Sequence, residues 1–229
     1  MSKELKKRIT TSIILFIAII FCILIHPWVF IFVIALILLI CFMEWRQINV
    51  QFFHVENPNK FWGYFFIKVF GLAYLSIVGF STFHLRGLSF EDGIFFIFIL
   101  CICICSDTGG YIFGKTIGGK KLTKISPNKT ISGSIGSFIF SILPIFLFNF
   151  QNYIDFNFDL SLKNILFCLV ISLSCQIGDL IISYFKRLNK VKDTGNILPG
   201  HGGLLDRIDS IIFAIPTASI LKIFANILI

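Results

Sequence analysis

Residues 164–187 read NILFCLVISLSCQIGDLIISYFKR. A membrane-crossing helix needs about 20 predominantly apolar residues, and this run supplies them before its first cation, Lys186. Asp179 interrupts it, at a cost of roughly 2.5–3.5 kcal/mol on insertion scales, so the carboxylate requires a partner or a use. The helical rise places Asp179 roughly 9 Å from the polar end of the run. Helical spacing sets Asp179, Ser183 and Lys186 on one face, with Arg187 close beside them.

The rest of the chain is of the same kind. Of 229 residues 56% are hydrophobic and 14% charged, and 29 are Phe, against about 25% charged in an ordinary soluble domain. Apolar runs cover about residues 10–25, 28–43, 61–83, 94–113, 133–150, 164–184 and 208–229. The expected fold class is therefore all-α: a polytopic integral membrane protein with about seven transmembrane helices and one membrane domain over 1–229. Membrane helices occupy 1–90, and a catalytic region occupies 91–229 with loops at about 114–132 and 185–207. The first two runs are separated by His26 and Pro27, and a proline inside a helix breaks it, so two short spans are expected there. The basic start MSKELKKR is followed by no small-residue cleavage site and reads as an uncleaved anchor.

The net charge of +8 does not point to nucleic acid, because no soluble basic domain with interleaved aromatics carries it. With the N-terminus in the cytoplasm, sixteen of the twenty Lys and Arg fall on the cytoplasmic side. That is the positive-inside distribution of a multi-pass protein in the inner (plasma) membrane. The seven cysteines lie in apolar runs without metal-type spacing and read as packing residues. No internal repeat of the transporter type is visible.

The scarce acids carry more information. Asp107 and Asp179 lie inside apolar runs. After the second of these comes LNKVKDTGNILPGHGGLLDRIDS, residues 188–210, a glycine-rich loop holding Asp193, His201, Gly202, Gly203, Asp206, Arg207 and Asp209. Such a loop can wrap phosphate oxygens, and Asp206 and Asp209 stand at i and i+3 at the start of the last span. Carboxylates converging with Lys and Arg suit Mg²⁺ together with phosphates. An earlier loop, residues 106–137, adds Lys129 within a second concentration of Lys and Gly.

SYFKRLNKVKDTGNILPGHGGLLDRIDS resembles the signature of the phosphatidate cytidylyltransferase (CDP-diacylglycerol synthase) family, matching it from Ser183 through Asp209. Gly178-Asp179-Leu180, Asp107-Thr108-Gly109, Ser126-Pro127 and Lys129-Thr130 match it too. The resemblance covers about the C-terminal 60% of the chain. It implies transfer of CMP from CTP to phosphatidate, giving CDP-diacylglycerol and pyrophosphate for phospholipid biosynthesis, with Mg²⁺ and a possible second cation. It also implies a homodimer with its active site facing the cytoplasm. Asp179 and Asp206 are then the expected cation ligands, with Asp193, Asp209 and Asp107 in support, and Lys186, Asp179 and Asp206 the catalytic set. Lys186, Arg187, Lys129, Arg207, His201, Gly202 and Gly203 are the expected substrate contacts. One departure stands out: the family commonly has Glu-Gly after Lys-Thr, where this chain has Ile131, Ser132 and Gly133. Two alternatives stay open: a CTP-dependent polyprenol or phytol kinase, and an ion- or proton-coupled transporter that uses Asp107 and Asp179 as a buried relay.

Overall fold

The computed structural model describes residues 20–24, 26–52, 58–123, 126, 129–149, 158–195, 197 and 202–227. Its helices are α1 (Pro27–Phe52), α2 (Pro58–Arg86), α3 (Phe90–Thr116), α4 (Ile131–Phe140), α5 (Leu143–Phe148), α6 (Leu162–Leu188), α7 (Leu205–Ile208) and α8 (Ile211–Ile227). Five segments are long and apolar enough to cross a membrane: Pro27–Asn49, Trp62–Arg86, Phe90–Thr116, Ile131–Phe148 and Leu162–Leu188. Ile211–Phe224 is apolar but shorter. The chain is an all-helical, multi-pass membrane protein. The expected span at 10–25 lies outside the described residues except for helical residues 20–24.

The helix limits have local causes. Pro27 is the first residue of α1, where its missing N–H costs nothing. Ser89 caps α3 by accepting from the Asp92 amide at 3.0 Å, and Thr130 caps α4 by accepting from the Gly133 amide at 3.1 Å. The run at 133–150 is not one helix but two, because Pro144 removes a donor and its ring opposes the carbonyl of Phe140, where α4 ends. Burial is the reverse of a soluble protein's. Phe66, Phe70 and Phe80 of α2 are more than 60% exposed, while Ser81 and Thr82 of the same helix are buried. Large apolar groups face lipid, and small polar ones face neighbouring helices.

The chain divides into two units, Met1–Phe83 with Phe185–Ile208, and His84–Tyr184 with Asp209–Ile229. In the first, the Trp45 indole donates to the Ile67 carbonyl at 3.1 Å and meets the Phe185 ring edge-on at 4.8 Å. Gly71 leaves room for it, since a Cβ there would strike the indole. In the second unit, α3 and α4 pack through facing small residues. A Cβ on Gly109 would come to 2.5 Å of the Gly136 carbonyl, and one on Gly136 to 2.5 Å of Phe113 Cβ. α8 is tied to α3 by Lys222 Nζ on Asp92 Oδ1 at 2.7 Å. Ser106 and Ser172 share a buried hydrogen bond of 2.7 Å between α3 and α6.

Gly136→Ala therefore forces α3 and α4 apart and is expected to cost about 1–3 kcal/mol, as overpacking does. Equilibrium unfolding in mixed micelles measures it, and an unchanged midpoint would contradict the close approach.

Candidate active site

In the second unit the polar residues of α3, α4 and α6 surround a cavity of about 340 Å³ lined by Asp107, Tyr111, Ser126, Lys129, Gln176 and Asp179, among others. Gly109, Gly110, Gly133 and Gly136 make it possible, because only helices this close bring a residue from each into one space. Lys129, held just before the Thr130 cap, places Nζ 2.6 Å from Asp179 Oδ2. Ser183, one turn on, donates to Asp179 Oδ1 at 3.2 Å. Asp107 accepts from the Ser210 hydroxyl at 2.9 Å, and the two carboxylates are within electrostatic reach of each other. Ser134 donates to the Gln176 side-chain oxygen on the cavity wall.

Two carboxylates with hydroxyl and amide oxygens are a hard-oxygen donor set. No group of three or more His, Cys, Asp or Glu that could hold a metal occurs among the described residues. Mg²⁺ does not need one, since it keeps several waters and takes one or two protein carboxylates plus substrate phosphates. Asp107 and Asp179 are the cavity residues that could hold such an ion.

The glycine-rich segment belongs to the first unit and is organised around two acids. Asp206 accepts Lys186 Nζ at 2.7 Å on Oδ1, and the Thr194 amide at 2.7 Å and the Gly203 amide at 3.1 Å on Oδ2. Burial opposes its charge, but the Lys186 ammonium and the two amides outweigh burial and hold the carboxyl below its ordinary range. The closure that Asp206 makes is present above the usual carboxylate pKa and is lost as pH falls through the lowered value. Glu44 of α1, 1% exposed, accepts the amides of Leu204 and Leu205 at 2.9 and 2.8 Å.

Several expected neighbours are separated. Lys186 was expected with Asp179 on one face of α6, but its ammonium is on Asp206, and Lys129 is the cation on Asp179. Asp206 and Asp209 do not share a helix, because the chain breaks at Asp209 and Ser210 between α7 and α8. Asp209 instead accepts its neighbour's amide, Ser210 N, at 2.9 Å. Asp193, Arg187 and Arg207 are exposed, and Gly202 takes a φ of 80° that favours glycine. His201 lies outside the described residues. Ser132, where a Glu is common in the family it resembles, donates to the Gly118 carbonyl and ties down the turn after α3. A carboxylate there would bring an acceptor against an acceptor.

Sequence reasoning missed Glu44, Thr194, Gln176 and Ser210. Only Glu44 carried a signal, as an acid near the end of an apolar run.

Apolar spanning helices around a cavity lined by carboxylates and a lysine define a multi-pass membrane protein with a charged site among its helices. The model of the cytidylyltransferase family matches residues 49–224, and the chain belongs to that family. It is 41% identical over 171 residues to a phosphatidate cytidylyltransferase of Staphylococcus saprophyticus, covering 74% of this chain and 64% of that protein. It is 45% identical over 155 residues to one of Staphylococcus haemolyticus, covering 66% and 56%. The matched part thus spans less than two thirds of the length of these curated relatives.

Asp206→Asn is expected to release Lys186 and weaken the bonds to residues 194 and 203 by about 1.5–3 kcal/mol, the range for hydrogen bonds to a charged group. Amide exchange of peptides covering these residues should accelerate in the variant, and in the native chain when pH falls through the acid range. Protection that is indifferent to both changes would contradict the assignment.

Proposed function

We propose that the chain transfers CMP from CTP to phosphatidate, forming CDP-diacylglycerol and pyrophosphate at the cytoplasmic leaflet of the plasma membrane. The observation that supports this most is the cavity in which Asp107, Asp179 and Lys129 meet, in a chain of the cytidylyltransferase family. The side on which the site faces is supported by the distribution of Lys and Arg, and a homodimer by the resemblance of its signature.

The lipid needs no dedicated base. A phosphate monoester has a second pKa of about 6, so it is largely a dianion at neutral pH. Its oxygen forms a bond to the α-phosphorus of CTP while the bond from that phosphorus to the bridging oxygen breaks, and pyrophosphate leaves with the electron pair. The obstacle is repulsion between two anions. Mg²⁺, when bound, supplies neutralisation of the phosphates and alignment of attack and departure. Asp179 and Asp107 are the residues to hold it. Ser210 orients Asp107, and Ser183 orients Asp179. Lys129, beside Asp179, is the ammonium that would meet a phosphate oxygen, and Asp179 the carboxylate that would hold the cation. In the first unit, Lys186 is the ammonium that would meet a phosphate and Asp206 the carboxylate that would hold a second cation. Arg187 and Arg207 offer further positive charge. Gly202 and Gly203 give less, because the Gly203 amide is engaged by Asp206.

Purified full chain in lipid vesicles is expected to convert CTP and phosphatidate to CDP-diacylglycerol and pyrophosphate only with a divalent cation. Release of CDP would instead mark a kinase. Outer partners of metal ligands cost about 10–100-fold when removed, so Asp179→Asn, which removes a direct ligand, should lower kcat by at least about 100-fold. Turnover within a few fold of normal in a folded variant would refute the metal assignment.

A further inference from the structure

Glu44 is a carboxylate inside a spanning segment, Pro27–Asn49, and its surroundings are backbone amides and a hydroxyl. Oε1 accepts from Leu204 N at 2.9 Å. Oε2 accepts from Leu205 N at 2.8 Å and from Thr194 Oγ1 at 2.9 Å. The same threonine oxygen lies 3.0 Å from Asp206 Oδ2. A hydroxyl has one proton, so Thr194 shares it between Glu44 and Asp206 and couples the position of one carboxylate to the other.

Two of the loop's glycines exist because of this acid. A Cβ on Gly195 would lie 2.7 Å from Glu44 Oε1, and one on Gly203 would press on Glu44 Oε2 and Thr194 Oγ1. The glycine-rich segment, which from its composition could have wrapped a phosphate, wraps a carboxylate of its own protein. Placing an acid in an apolar span is costly, and an apolar side chain would fill the space without that cost. What it could not do is receive two successive amides and a hydroxyl in fixed directions. Glutamine is no substitute, because its NH₂ group would face one of the amide donors.

We propose that Glu44 is a positioning residue. It fixes the backbone at residues 203–205 and, through Thr194, the orientation of the Asp206 carboxylate that carries Lys186. It precedes the stretch shared with the family, so the C-terminal signature depends on an acid supplied from the N-terminal helices. The kinetic part of this inference rests on the proposed cytidylyl transfer, whereas the structural part does not.

The test uses the full chain in lipid nanodiscs, with Glu44→Gln, Thr194→Val and the double variant. In Glu44→Gln, exchange of peptides covering residues 203–205 should rise about 10–100-fold, as expected when hydrogen bonds to a buried charge are lost. Per folded molecule, kcat should fall on the order of 100-fold, the effect of a misplacement of about 1 Å. KM for CTP should change by less than about threefold, because ground-state binding is not what Glu44 supplies. Thr194→Val should shift both readouts in the same direction and add little in the double variant, since the two act as one unit. Unchanged exchange in Glu44→Gln overturns the proposal, and so does faster exchange with unchanged kcat, which reduces Glu44 to a fold-holding group. Should Glu44→Gln fail to fold, Thr194→Val alone decides by the same two readouts. A native chain without cytidylyl transfer would sink the functional proposal and leave the exchange result to judge Glu44.

Discussion

An ionised carboxylate is expensive in an apolar span, and four acids within the spans of this chain, Asp92, Asp179, Asp107 and Glu44, are placed where that expense is offset. Asp92 has Lys222, Asp179 has Lys129, and Asp107 has the Ser210 hydroxyl. Glu44 has two amides and a threonine. Each pairing joins elements far apart in sequence, so the interactions that keep charge tolerable also fasten helices together. Stability and chemistry draw on the same groups. Removing Lys129 would both loosen α4 from α6 and leave Asp179 without its cation.

Small residues are the second half of this arrangement. The Gly109, Gly110, Gly133 and Gly136 contacts let α3 and α4 approach until carboxylate, ammonium and hydroxyl groups line one cavity. In the other unit, Gly195 and Gly203 allow a loop to close on Glu44. The glycines thus serve different ends in the two places: helix contact in one, and backbone wrapped on a buried acid in the other. Neither requires a bound ligand to explain it. The cavity that the helix glycines open is lined by an ion pair, Lys129 with Asp179, and by Asp107.

Much of the architecture was legible because lipid imposes a coarse code. Long apolar runs announced the spans, and Asp107 and Asp179 stood out because nothing else charged surrounds them. Partners were harder to read. Lys129 is 50 residues from Asp179, and from the sequence it reads as a phosphate contact in a lysine-rich loop and not as the partner of that acid. The helical face that joins Asp179 to Lys186 was a sound local inference, yet the ammonium finds Asp206 because the loop returns to it. Asp206 and Asp209 appeared paired only on the assumption that the last helix is continuous, and the break at Ser210 removes that. Glu44 was missed because an acid near a span end is ordinary, and only the folded loop shows that it is enclosed.

On the proposed function, Asp179 and Asp107 hold a divalent cation against the triphosphate of CTP. A structure of the full chain with Mg²⁺ and a non-reactive CTP analogue tests it most directly. The expected result is the ion bonded to an Asp179 oxygen, with Lys129 displaced onto a phosphate oxygen and the triphosphate in the cavity of α3, α4 and α6. A nucleotide bound elsewhere, or an ion seated with Lys129 still on Asp179, would contradict it.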